Sequence, residues 1–149
     1  MSLYLADAEA TEAAGRALGA VLHAGDVVTL SGPVGAGKTS FARGALAALG
    51  LDGEAASPSF PIVIPYATPE TRLPVAHVDL YRIDDPSALE ELGLDDYLFD
   101  GALLVEWPEH GGRALPGPAL RLTLSPDPGG GRRLTWQAPA AWGARWPLR

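Results

Sequence analysis

Cysteine is absent from this 149-residue chain, and lysine occurs once. The missing cysteines exclude disulfides and thiolate metal sites. No apolar run approaches the length of a membrane span. No basic stretch followed by an apolar segment opens the chain, so a secretory signal is not expected. These absences together point to the cytoplasm and to no membrane role. Basic residues are also scarce: eleven Lys and Arg stand against eighteen Asp and Glu, giving a formal net charge of −7 and a pI near 4.8. Proteins that grip nucleic acid unaided draw most of their affinity from a basic patch that neutralises phosphates. Here Arg132-Arg133 is the only adjacent basic pair. Any role on RNA or DNA is therefore expected to run through a partner. Repeats and long low-complexity tracts are lacking as well, and the length suits one domain able to bury a core.

The lone lysine is the most informative residue present. Gly32-Pro33-Val34-Gly35-Ala36-Gly37-Lys38-Thr39 fits the phosphate-binding pattern G-x-x-x-x-G-K-[ST]. Every other basic residue is arginine. A compact ammonium on a flexible stem reaches β- and γ-phosphates, whereas a planar guanidinium presents a wider fork. Lysine is kept at the one position where that difference matters. The context fits too. The apolar run Val27-Val28-Thr29-Leu30 reads as a buried strand leading straight into the loop, and a helix from Lys38 to Leu49, stopped at Gly50, follows. A chance match in a Gly- and Ala-rich chain would not supply that context. Backbone N–H groups of the turn and the helix N-terminus favour a phosphate. Gly35 and Gly37 let the backbone close around it. Lys38 neutralises charge, and Thr39 offers its hydroxyl to Mg²⁺.

The remaining pattern alternates strands and helices. Leu3 to Leu5 reads as a short strand, and Asp7 caps a helix reaching about His23. Prolines at 58, 61 and 65 make Ser57 to Tyr66 extended. Val75 to Tyr81 and Ala102 to Trp107 read as strands, and Pro86 to Phe99 as one or two short helices. Alternating segments at Ala119 to Leu124 and Arg132 to Gln137 flank a Pro- and Gly-rich turn and make a hairpin. The expectation is a single α/β domain over residues 1–149, P-loop NTPase-like, with a central mixed β-sheet flanked by helices. Residues 139–149, with Trp142 and Trp146, form either a docked or a loose tail. Two strands end in acids that could complete a metal site. Glu106 follows Leu103-Leu104-Val105, and Asp79 follows Val75 to Val78. Either could equally be a solvated strand-end acid. His77 has no partners at metal-ligand spacing and reads as a packed histidine.

Six blocks, in order, carry a family resemblance: Gly25 to Gly32, the phosphate loop, Ser57-Pro58-Ser59-Phe60, His77-Val78-Asp79-Leu80-Tyr81-Arg82, Leu92-Gly93-Leu94, and Val105-Glu106-Trp107-Pro108-Glu109. Over roughly residues 5 to 137 the chain resembles the TsaE (YjeE) ATPases of bacterial tRNA threonylcarbamoyladenosine synthesis. The resemblance implies ATP or ADP with Mg²⁺ as cofactors. It implies a nucleotide-binding set of Thr11, Gly35, Ala36, Gly37, Lys38, Thr39, Ser40, Ser59 and Trp107, with Thr39 and Glu106 on the metal, and Asp79 and Lys38 in hydrolysis. Ser59 stands where the family usually has Thr, which keeps a hydroxyl. His110-Gly111-Gly112-Arg113 stands where it commonly has a basic residue. The resemblance further implies action with TsaB and TsaD, which would hold the tRNA. Arg82 and Arg43 are candidates to stabilise charge in phosphoryl transfer. The acidic stretch from Asp84 to Asp100 is either a docking surface or a solvated face. Two alternatives remain at this level. One is a small-molecule or nucleotide kinase, which lacks here the arginine-rich lid such enzymes close. The other is an interaction module with a vestigial ATPase.

Overall fold

In a computed structural model of the chain, residues 2–52, 63–112 and 115–148 are described. Ser59, Arg113 and most of the extended segment expected from Ser57 lie outside the described residues. The fold is one α/β domain around a seven-stranded mixed sheet. The strands are β1 (Ser2–Leu5), β2 (Val27–Ser31), β3 (Val63–Tyr66), β4 (Val75–Asp79), β5 (Ala102–Glu106), β6 (Leu120–Pro126) and β7 (Arg132–Gln137). Their spatial order is β1-β7-β6-β2-β5-β4-β3. The four central strands β6, β2, β5 and β4 run parallel, and antiparallel strands close both edges. Buried on both faces, β5 is apolar from Ala102 to Val105 and ends in Glu106. By contrast, β6 alternates, with Leu120, Leu122 and Leu124 inward and Arg121 and Thr123 outward. That end of the sheet is covered on one face, as its period-2 sequence dictates.

Two helices cover the inner face. α1 (Ala8–Gly19) starts at Asp7, whose carboxylate accepts the Ala10 N–H at 2.8 Å. α2 (Lys38–Ala48) starts at Gly37. The helices meet almost backbone to backbone. A Cβ on Gly15 would stand 2.0 Å from the Phe41 carbonyl oxygen, and one on Gly44 would stand 2.0 Å from that of Glu12. Phe41, Leu18, Leu46 and Leu49 fill the main core together with Val28, Leu30 and Leu104 of the sheet. A smaller core on the other face joins Val78, Val105 and Leu103 to Leu89 and Leu94. The tail is docked. Trp142 and Trp146 are buried in the main core, and Arg145 makes a two-pronged pair with Asp26 at 2.6 and 2.9 Å. No helix among the described residues is long and apolar enough to cross a membrane.

Two element ends depart from the sequence expectation for a cause visible in side-chain contacts. α1 stops at Gly19 rather than near His23, because Arg72 takes the Gly19 and Leu22 carbonyls at 2.8 and 3.2 Å, and Asp26 takes the His23 N–H at 2.7 Å. β4 stops at Asp79 rather than Tyr81, because the Asp79 carboxylate turns back to accept the Tyr81 N–H at 2.9 Å. Pro86 to Phe99 forms two short helical pieces, as expected: a 3₁₀ segment (Pro86–Leu92) and a single turn, α3 (Leu94–Tyr97), joined at Gly93 with φ +62°.

The helix contact generates a prediction whose sign opposes intrinsic propensity. Alanine in a helix is worth roughly 1 kcal/mol over glycine. Gly44→Ala should nevertheless lower stability by about 1–3 kcal/mol, because the added methyl meets a backbone oxygen that cannot rotate away. The urea midpoint should fall with little change in slope.

Candidate functional site

β2 ends at Ser31, and the chain turns through Gly32 to Gly37 before α2 begins. The Ala36 N–H donates to the Pro33 carbonyl at 3.1 Å, which closes the loop. Gly37 has φ +104°, a conformation that disfavours any side chain, and a Cβ there would stand 2.8 Å from Arg132 and 3.3 Å from the Thr11 methyl. The left-handed backbone alone makes a side chain here strained, and the neighbouring Arg132 would have to shift to admit one. β4 and β5 end at the same edge. Asp79 lies opposite Glu106 across the β4–β5 pair, and Leu30 lies opposite Glu106 across the β2–β5 pair. The loop, both acids and the start of α2 therefore border one cleft of about 340 Å³. Gly35, Gly37, Lys38, Thr39 and Ser40 line one wall, and Asp79, Tyr81, Glu106 and Trp107 line the other.

Lys38 is 6 % exposed. Its Nζ donates to the Gly32 carbonyl and sits 3.7 Å from the centroid of the Trp107 ring. Burial pulls its pKa below the usual lysine value, while Glu106, Glu109 and Asp79 push it back up. Trp107 reaches this position through a left-handed backbone, φ +58°, which is strained for a residue with a Cβ. Its indole also packs on Tyr81 and His110, with centroids 4.9 and 5.7 Å away. His110 is fixed in turn through Nδ1 against the Leu80 carbonyl at 2.9 Å. The Asp79 carboxyl is pushed above the usual range, first by burial and then by Glu106, although the Tyr81 N–H opposes this. Glu106 is buried, with Oε2 2.7 Å from His77 Nε2.

The structure gathers most of the residues singled out from sequence. Thr11 and Ala36 lie one layer below. Thr11 is fully buried, its hydroxyl donates to the Asp7 carbonyl at 3.1 Å, and its methyl underlies Gly37. Arg43 and Arg82 are not in the cleft lining. The arginine that is there, Arg132, comes from the start of β7 and donates through Nη2 to the Gly35 carbonyl at 3.3 Å. Sequence reasoning noted the Arg132-Arg133 pair but had no means to bring it to a loop almost a hundred positions away. Tyr81 was likewise not singled out. The acids of the 84–100 stretch are exposed, and Asp85 caps the 3₁₀ segment through the Ser87 N–H. A larger cleft, about 630 Å³, lies over the outer face of β2, β6 and β7, but Glu109 and Arg121 are the sole charged residues in its lining. The smaller cleft concentrates the chemistry: a glycine-rich loop, a buried ammonium, a hydroxyl and two strand-end carboxylates.

The family model described as Threonylcarbamoyl adenosine biosynthesis protein TsaE matches residues 5–134. The chain is 37 % identical over 131 residues to the tRNA threonylcarbamoyladenosine biosynthesis protein TsaE of Bacillus subtilis, covering 87 % of this chain and 80 % of the relative. It is 40 % identical over 111 residues to the TsaE protein of Streptomyces coelicolor, covering 74 % and 75 %. The crystal structure of Bacillus subtilis YdiB superposes with a TM-score of 0.76 at 32 % identity, covering 93 % of this chain and 84 % of that one.

The electrostatics of Asp79 predict a stability effect of definite sign. A carboxyl whose folded pKa is raised keeps its proton longer folded than unfolded, so folding stability falls as pH climbs from the unfolded to the folded value. Above the folded value the full penalty is present. Asp79→Asn keeps the acceptor for the Tyr81 N–H and removes the charge. It should raise the melting temperature at pH 7, and the gain should vanish as pH is lowered below the ordinary carboxylate range, near 4.

Proposed function

The chain belongs to the TsaE family of threonylcarbamoyl adenosine biosynthesis proteins, and on that footing we propose that it binds ATP with Mg²⁺ in the cleft. Hydrolysis there would support N6-threonylcarbamoyladenosine modification of tRNA, together with TsaB and TsaD. The observation that carries the reading is the meeting of Lys38, at the mouth of an amide-lined loop, with Asp79 and Glu106 at the ends of neighbouring parallel strands. In this reading the loop amides and Lys38 bind the β- and γ-phosphates. Asp79 orients the attacking water, and Lys38 stabilises the charge that develops as the bond to the leaving oxygen lengthens. Arg132, already donating to a loop carbonyl, becomes a second cation for the nucleotide phosphates.

The donor set suits a divalent cation shared with the nucleotide. Thr39 and Glu106 offer hard oxygens, and Glu106 Oε1 carries no hydrogen bond among the described residues. No cluster of three or more acidic, His or Cys side chains among the described residues makes a self-sufficient cage. That fits Mg²⁺, which commonly takes one or two protein ligands plus phosphates and water. Bound there, the ion would offset two carboxylates that otherwise repel each other and screen the phosphate charge. The 57–60 segment is the proposed reporter of nucleotide state to TsaB and TsaD. An acidic surface agrees with tRNA being held by those partners, and the cytoplasm is the proposed compartment.

The test is phosphate release by the purified chain, alone and then with TsaB, TsaD and tRNA. Stimulation by the partners with multiple rounds of tRNA modification is expected, and Lys38→Ala should lower turnover by about 100-fold or more. Arg132→Ala should weaken ADP binding by about 10-fold, the worth of one charge-assisted hydrogen bond, in a titration with the full chain. Partner-independent turnover with phosphate appearing on a small-molecule acceptor would move the reading to a kinase. Partner function that survives Asp79→Asn while hydrolysis is lost would move it to a nucleotide-gated interaction module.

A further inference from the structure

His77 sits two residues before Asp79 on β4, so both side chains emerge on the face that carries the cleft. It lies opposite Leu104, and Glu106 is its diagonal neighbour on β5. Both groups are buried, at 2 % and 5 % exposure, and Nε2 stands 2.7 Å from Oε2. The other ring nitrogen, Nδ1, is buried without a hydrogen-bond partner. These facts discriminate between the two neutral tautomers. A neutral ring protonated at Nε2 donates to the carboxylate and leaves only a lone pair unpaired. The opposite tautomer would face a lone pair to the carboxylate and bury an unpaired N–H. Leaving Nδ1 unpaired costs free energy that an apolar side chain would avoid. What the histidine provides in exchange is a fixed Glu106.

A competing partner for Glu106 lines the same cleft. The Lys38 ammonium lies close enough for Glu106 to be the largest charge raising its pKa. A carboxylate free to rotate would pair with that ammonium and draw both groups away from the phosphates and the cation. We propose that His77 is a positioning residue: it holds Glu106 by Oε2, so that Oε1 serves the nucleotide-borne divalent cation and Lys38 is kept for phosphate. The proposal rests on the Mg²⁺-nucleotide reading of the cleft. It assigns His77 no contact with nucleotide or metal.

The experiment compares ADP affinity in excess Mg²⁺ with ADP affinity in EDTA, by calorimetry on the full chain. The readout is the ratio of the two. In wild type, Mg²⁺ should tighten binding. In His77→Leu that enhancement should fall about 10-fold or more, the usual effect of removing an outer partner of a metal ligand. Affinity in EDTA should stay within about twofold, because the loop amides are untouched. His77→Gln, whose amide N–H falls near the position of Nε2, should restore most of the ratio. His77→Asn, which is too short, should not. That second pair carries the test if His77→Leu fails to fold. An unchanged ratio in His77→Leu or His77→Asn, or equal losses with and without Mg²⁺, would overturn the inference. A wild type that shows no Mg²⁺ enhancement would instead remove the metal reading itself, and the role of His77 with it.

Discussion

The register of three parallel strands is the constraint on which the site depends. Leu30, Glu106 and Asp79 are held in line across β2, β5 and β4 by main-chain hydrogen bonds. Side chains alternate faces along a strand, so a slip of one residue in either pair would send a carboxylate to the opposite face of the sheet. The sequence guards against this with apolar residues of opposite destination. Val75 and Leu104 belong to the core under α1 and α2, whereas Val78, Leu103 and Val105 belong to the core on the other face. Any slip would have to exchange those two cores. Hydrophobic burial over the length of the strands thus fixes two polar groups at their ends.

The site itself is locally costly. A lysine is buried among acids, a carboxyl is pushed toward neutrality, a histidine nitrogen is unpaired, and a tryptophan takes a left-handed backbone. Each departs from what folding alone would choose, and all lie within or against one cleft. Such clustering is characteristic of functional regions, where the surrounding structure over-determines an unfavourable local state. The surroundings here are well suited to that. α2 cannot shift easily, because α1 is packed against it with no side chain between them at Gly15 and Gly44.

Much of this was legible in the residues because the informative features are local. The strand, the glycine-rich loop and the helix that border the cleft are contiguous, and their glycine and lysine positions specify backbone shape and charge directly. Asp79 and Glu106 could be paired as candidates because each ends an apolar run, so both were expected at strand ends. Arg132 could not be brought to the loop. Its contact with Gly35 depends on the hairpin of β6 and β7 lying beside β2, a pairing that no local pattern encodes. The bond from His77 to Glu106 was hidden for a similar reason, since it is diagonal across two strands whose register was unknown. The early ends of α1 and β4 were set by single side chains, Arg72 and Asp79, that compete for backbone groups. Hydrophobic periodicity carries no record of such competition.

The sheet also has a history in time. β1 lies at the edge and pairs with β7 alone, Ser2 opposite Thr135 and Leu5 opposite Arg132. These two strands are far apart in sequence, so this edge closes only by a long-range pairing. Trp142 and Trp146, which share the core with Leu18 and Leu22, are likewise distant from them in sequence. The loop and its flanking strand and helix form from neighbouring residues, whereas closing this sheet edge and sealing the core need residues far apart in sequence. Long-range pairing of this kind slows folding and leaves apolar surface uncovered meanwhile. Until those contacts form, an unpaired strand edge and uncovered core residues are open to aggregation and to proteases.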